Sequence, residues 1–119
     1  MAHFSRAVEF ANRGQSADAI KFFEVAVWMN QSFWQARYLL GVELAMADKV
    51  EEAESQFAAV VRLRPDFAKA HLNLGVALGK RHKLDEALAE FQTALKLNPT
   101  NELARRSIEK IQTLQNRTH

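Results

Sequence analysis

The chain has 119 residues, of which 48% are apolar and 25% charged, with 16 Lys and Arg against 14 Asp and Glu. That is the length of one ordinary domain, and its composition excludes a disordered tail. The longest uncharged runs, about a dozen residues, are too short to cross a bilayer, the charged start "MAHFSRAVEFANRG" is not a signal peptide, and the absence of cysteine excludes disulfides and thiolate sites without fixing a compartment.

These absences favour a cytoplasmic protein with no direct membrane insertion. Charge is unevenly placed. Residues 1–66 carry seven Lys and Arg against nine Asp and Glu, and residues 67–119 carry nine against five. The basic bias of the second part is mild and is not the footprint of a nucleic-acid binder.

In chain order, the apolar spacing predicts helices over about 2–13, 16–30, 33–47, 50–63, 67–80, 84–97 and 101–116. Tyr38, Leu40, Val42 and Leu44, then Val50, Ala53, Phe57, Val60 and Val61, recur at helical intervals and do not alternate as in a strand. Ser16 is placed to cap the second helix. Ser32 with Gln35 forms a capping-box pattern before the third, and Asp66 is placed to cap the fifth. Pro65 and Pro99 end the fourth and sixth, because proline lacks an N–H and disfavours helix in the residue before it. Gly14, Asp48 and His82 fall at the intervening turns, and all three residue types tolerate a left-handed backbone.

The helices repeat with a period of 34. Phe23, Phe57 and Phe91 fall in step, as do Ala19, Ala53 and Ala87, and Val8, Val42 and Val76. Leu40–Gly41 matches Leu74–Gly75, and Pro65 matches Pro99. The small residues Gly41, Gly75, Ala53 and Ala87 let the two helices of a unit approach closely. Phe57 and Phe91 are then expected to fill the space between that pair and the next unit.

"YLLG…EEAESQFAAVVRLRP" and "LNLG…DEALAEFQTALKLNP" resemble the tetratricopeptide repeat, a 34-residue helix–turn–helix with L-G in its first helix, A-x-x-x-F-x-x-A in its second and proline at its end. The first unit departs from it, with Arg6–Ala7 in place of L-G and Gln31 in the proline place. The resemblance implies an all-α, right-handed α-solenoid of three helix-turn-helix repeats plus a C-terminal capping helix. The units are repeats at 1–33, 34–67 and 68–100 and a solvating helix at 101–119. Glu102, Arg105, Arg106, Glu109 and Lys110 give that last helix a wet face.

No catalytic or metal-binding pattern accompanies the repeats, so the chain is expected not to be an enzyme and to need no metal and no cofactor. There is no Gly-rich phosphate loop and no H-E-x-x-H. Of the histidines at 3, 71, 82 and 119, His71 stands between packed helices and His82 in a turn. Glu51, Glu52 and Glu54 share one solvated helix turn with no cleft for acid–base work. "KRHK" at 80–83 is a basic turn that serves solubility or contacts an acidic partner.

In such an architecture the first helices of successive units line a concave face. Its equivalent positions are Phe4, Tyr38 and Leu72; Val8, Val42 and Val76; and Asn12, Met46 and Lys80, flanked by Gln35, Lys69 and Asn73. This wall is apolar in the middle, with amides and lysines at the rim. It implies a protein-interaction scaffold whose groove takes a peptide or helix of apolar or amphipathic character, with Tyr38 and Met46 as aromatic and thioether contacts. The alternatives are a self-associating structural unit and a repeat domain excised from a longer chain. Some members of the family clamp the acidic C-terminal tails of chaperones with Lys, Asn and Arg. The matching places here read Phe4, Val8, Leu39, Lys69 and Asn73, and only Lys69 fits, which argues against a carboxylate clamp.

The N-terminal helix has no unit before it, yet carries Phe4 and Val8 as an apolar strip, with Trp28 and Trp34 nearby. Exposed apolar surface of that kind predicts a cover. The expected cover is a second copy through a two-fold contact, giving a homodimer, or residues upstream in a longer natural chain.

Overall fold

The structure is a computed structural model and describes residues 2–117. Met1, Thr118 and His119 lie outside the described residues, and with them the outer ends of the expected first and last units. The described residues form seven α-helices and no strand: α1 (Ala2–Asn12), α2 (Ser16–Met29), α3 (Trp34–Met46), α4 (Val50–Leu63), α5 (Ala68–Lys80), α6 (Leu84–Leu97) and α7 (Glu102–Arg117). Each packs on the next, so three helix pairs and a closing helix stack into a right-handed solenoid of 51 × 25 × 22 Å. No described helix is long and apolar enough to cross a membrane.

The turn inside each pair is the same structure made three times. Gly14, Asp48 and His82 have φ of 75°, 62° and 61°. After each, the next amide reaches back five residues: Gln15 N–H to the Phe10 carbonyl, Lys49 to Leu44 and Lys83 to Leu78, at 2.8–2.9 Å. The left-handed residue itself bonds three back, to Ala11, Ala45 and Gly79. This pair of bonds is a Schellman closure, which satisfies carbonyls that the helix end would leave open.

Between pairs, α4 and α6 stop at Leu63 and Leu97, one residue short of the X in each X–Pro bond. The first break has no proline. There Asn30 takes an extended backbone (φ −145°, ψ 99°), and its side-chain oxygen accepts from the Ser32 amide. An asparagine turn does the work that proline does in the later units.

The side-chain caps expected at three helix starts do not form. Ser32 lies outside α3, whose boundary residue Phe33 makes no side-chain cap. Asp66 receives the Arg64 guanidinium at 3.4 Å instead of capping α5, and Ser16 lies inside α2 and donates to Glu43 at 3.1 Å. Each sits one position away from where its oxygen could reach the open amides of the first turn. Among the described residues, Asn101 does cap a helix: its side-chain oxygen accepts from the Ala104 amide at the start of α7.

Phe23, Phe57 and Phe91 are the large buried side chains of the core. Phe57 stands beside Asn73 and Val76 of the next unit and Phe91 beside Leu103 and Ile111, in keeping with the expected inter-unit filling, and each also meets a glycine of its own pair. A methyl group built on Gly41 would stand 2.7 Å from the Phe57 ring, and one on Gly75 would stand 2.8 Å from the Phe91 ring. The Phe57 and Phe91 rings therefore lie close against the glycine of their own pair, which makes room for them.

Candidate functional site

α3 and α5 stand side by side, as α5 and α7 do, and the hollows between them are lined by residues spaced by three, four and seven. Between α3, α4 and α5, Asn73, Val76 and Lys80 face Ala45 and Val50 above the edge of Phe57. Further along, a groove of about 460 Å³ runs between α5 and α7, with Phe91 at its floor. That volume is within the roughly 300–1,000 Å³ typical of ligand pockets. Its α5 wall is Val76, Gly79 and Lys80, and its α7 wall includes Leu103, Lys110 and Leu114. At the other end, Phe4 and Phe33 border a hollow of about 380 Å³ with Met29 and Asn30.

The positions expected from the repeat divide into three groups. Tyr38 and Asn73 are joined directly: the Asn73 amide donates to the Tyr38 hydroxyl at 3.1 Å. The Tyr38 ring leans on Phe57 and Phe67, with centroids 6.0 and 4.9 Å away. Burial pushes the Tyr38 phenol up from 10.0, and the bond from Asn73 opposes that rise. Phe4, Val8, Val42, Leu72 and Val76 are half-buried and packed against the core. Asn12, Gln35, Met46, Lys69 and Lys80 are exposed, Met46 at 69%.

The expected bare strip on the first helix is absent. Phe4 packs on Phe23 at 5.9 Å and on Phe33 at 4.8 Å, inside its own pair and the turn that follows it. Phe10 stacks on Phe22 at 5.4 Å. The strip is thus covered by the chain itself, and Phe4 gives no ground for a second copy. Trp28 is the exposed aromatic of this half, at 78%, and Trp34 is held between Phe67 and the Arg64 guanidinium.

Glu54 differs from expectation, and His71 keeps the packed position expected of it. Glu54 leaves the solvated cluster: it is half-buried and takes Arg81 at 2.7 Å and Lys83 at 3.3 Å, so the basic turn is partly neutralised. His71 is buried and bridges the Pro65 carbonyl (2.7 Å) and Glu90 (2.8 Å). One period earlier Arg37 bonds the Gln31 carbonyl and Gln56, and one period before that His3 stacks on Phe22. The histidine is therefore a tie between the inter-pair turn and the second helix. Among the described residues, no group of three or more His, Asp or Glu could hold a metal ion.

The α7 wall was not among the expected groove positions, yet its signal lies in the sequence. Leu103, Ser107, Lys110 and Leu114 stand one period after Lys69, Asn73, Val76 and Lys80. Lys110 thereby moves from the wet face to the groove.

Residues 68–101 match the family model described as Tetratricopeptide repeat. Residues 68–101 are a tetratricopeptide repeat, in a chain with that family's fold. Solved structures agree across nearly the whole length. The first tetratricopeptide-repeat domain of Spaghetti (RPAP3), bound to the HSP90 peptide SRMEEVD, is 21% identical, covers 97% of this chain and 91% of its own, and superposes with a TM-score of 0.89. The second such domain of human RPAP3, in complex with the HSP70 peptide SGPTIEEVD, is 25% identical over 92% of each chain, with a TM-score of 0.84. YrrB, described as a tetratricopeptide-repeat protein with an unusual peptide-binding site, is 28% identical over 90% of this chain and 55% of its own, with a TM-score of 0.81. No curated protein matches the chain in sequence.

Proposed function

We propose that the chain is a protein-interaction module without catalytic activity, and that it binds a peptide or helix along the groove made by α1, α3, α5 and α7. The observation that carries this reading is the apolar groove between α5 and α7, open to solvent and sharing Val76 and Lys80 with a smaller hollow against Ala45 of α3 and Val50 of α4. Three structurally similar proteins described as binding peptides add support. The contact set is the one expected from the repeat, from Phe4, Val8 and Asn12 through Tyr38, Val42 and Met46 to Leu72, Asn73, Val76 and Lys80, with Gln35 and Lys69 at the rim. The repeat units are taken as 1–33, 34–67 and 68–100, followed by the solvating helix from 101.

A chaperone-tail clamp is not the reading we adopt. Phe4, Val8 and Leu39 occupy three of the clamp's five places and pack into the core, so they offer a terminal carboxylate no donor. An apolar or amphipathic segment suits the groove better. A small interface of this type implies affinity on the order of micromolar.

Self-association is the second reading, and it rests on Trp28 and Met29, adjacent and 78% and 64% exposed. Met46→Glu and Trp28→Glu separate the two. Met46→Glu is expected to abolish peptide capture and leave the sedimenting mass unchanged. If instead Trp28→Glu lowers the mass and neither variant affects capture, the chain is an assembly unit and the groove reading falls.

A further inference from the structure

The groove changes character along its length. At successive repeat positions the wall reads Val8, Val42, Val76 and then Lys110, and at another set Asn12, Met46, Lys80 and Leu114. It is apolar toward α1 and α3 and acquires cations toward α7. Among the described residues, none lining the α5–α7 groove bears a carboxylate, and Lys80 and Lys110 form no ion pair there. Several acidic side chains of the neighbouring helices are engaged elsewhere: Glu54 by Arg81 and Lys83, Asp85 by Gln115, and Glu102 and Glu109 by Arg105, while Glu51 and Glu86 lie toward Arg81 and outside the groove lining. Among the described residues, two lysines thus flank an apolar trough that no carboxylate lines.

The trough has space for side chains from outside. Gly79 opens it: a methyl group there would meet Ala87 at 4.0 Å, an ordinary contact, and anything longer would enter the groove. Leu103, 53% exposed, and Leu114, 38% exposed, present apolar surface along the opposite wall. Apolar residues fit between these walls, and acidic side chains flanking them would supply the missing charges.

We propose that the α5–α7 groove holds the acidic end of an internal, amphipathic peptide segment, with its apolar side chains over Phe91 and its carboxylates on Lys80 and Lys110. This proposal rests on the peptide-groove reading and gives it a direction and a ligand chemistry. The segment needs no free C-terminus, which separates it from a tail-binding clamp.

A library of random dodecapeptides, displayed through their C-termini so that no terminal carboxylate is offered, tests both levels. Selection on the whole chain is expected to enrich peptides combining Leu-sized or aromatic residues with Asp and Glu. Fluorescence polarisation of an enriched peptide should weaken at least about tenfold in Lys80→Glu/Lys110→Glu, a factor equal to about 1.4 kcal/mol, and should weaken as salt is raised. Gly79→Leu should abolish binding while Gly79→Ala retains it. Leu103→Glu, at an exposed site, tests the same wall if Gly79→Leu does not fold. Enriched peptides that lose affinity in Met46→Glu but not in the Lys80/Lys110 or Leu103 variants would overturn this proposal and leave the groove reading standing. Peptides that are neutral or basic would also overturn it. No enrichment at all would overturn both.

Discussion

Gly41 and Gly79 are both helical glycines, and the surroundings of an added methyl group give their substitutions opposite signs. At Gly41 the methyl would stand 2.7 Å from a Phe57 ring that is 2% exposed and cannot swing aside. Gly41→Ala is expected to destabilise the fold by about 1–3 kcal/mol, because overpacking exceeds the gain in helix propensity. At Gly79 the methyl makes an ordinary contact. Gly79→Ala should therefore stabilise by roughly 0.8–1 kcal/mol, the full propensity difference. Denaturant melts of the two variants would show midpoints moving in opposite directions; a gain for both would mean that the Phe57 ring is not seated on the glycine.

Tyr38 is the only tyrosine in the chain, so tyrosinate absorbance titrates one site. Its phenol is held above 10.0 by burial. The stability linked to this group is full below its unfolded value near 10 and is lost as pH rises through the folded value, because the folded state keeps its proton longer. The titration midpoint is expected above 10.0. Asn73→Ala should raise it further, since Asn73 donates to the oxygen and favours the phenolate. A midpoint unmoved by that substitution would show that the two side chains do not meet.

At the scale of elements, helix starts and helix ends are held by different means. The ends inside each pair are closed by backbone alone, through the left-handed residues Gly14, Asp48 and His82. α7 begins at a side-chain cap, Asn101 to the Ala104 amide, while Ser32 and Asp66 cap nothing. Asn101→Ala should cost about 1 kcal/mol and fray α7. Ser32→Ala and Asp66→Ala should change the melting midpoint little. If the three substitutions cost the same, the caps expected from sequence form in solution after all.

For the whole molecule, the periodic tie sets an order of local stability. His71 and Arg37 each fasten an inter-pair turn to the second helix of the pair, by two hydrogen bonds or more. The equivalent residue in the first pair, His3, makes a ring stack with Phe22. A solenoid's stability is a sum over units and neighbour interfaces, and the end helices α1 and α7 each pack closely on one helix, where α3 and α5 pack closely on helices to either side. Amide exchange is expected to be fastest in α1 and slowest in α4 and α5. Uniform protection along the chain would show instead that the array opens as a single unit.

Sequence by itself determined the period, the seven helices to within a residue or two, the breaks at Pro65 and Pro99 and the left-handed turns. Each of these is decided by residues within one or two turns of one another, through backbone sterics and apolar spacing. Asn73, Val76 and Lys80 share one face of α5 for the same reason, and Leu103, Ser107, Lys110 and Leu114 of α7 lie one period further on. Only the tertiary structure decided what the side chains meet. Tyr38 and Asn73 are 35 residues apart, and Glu54 and Arg81 are 27 apart. Whether Phe4 lies bare or is tucked under Phe33 depends on how the second pair seats against the first. Pattern places a residue on a face of its helix, but burial and pairing depend on the distance to the neighbouring helices, and packing of the whole stack sets that distance.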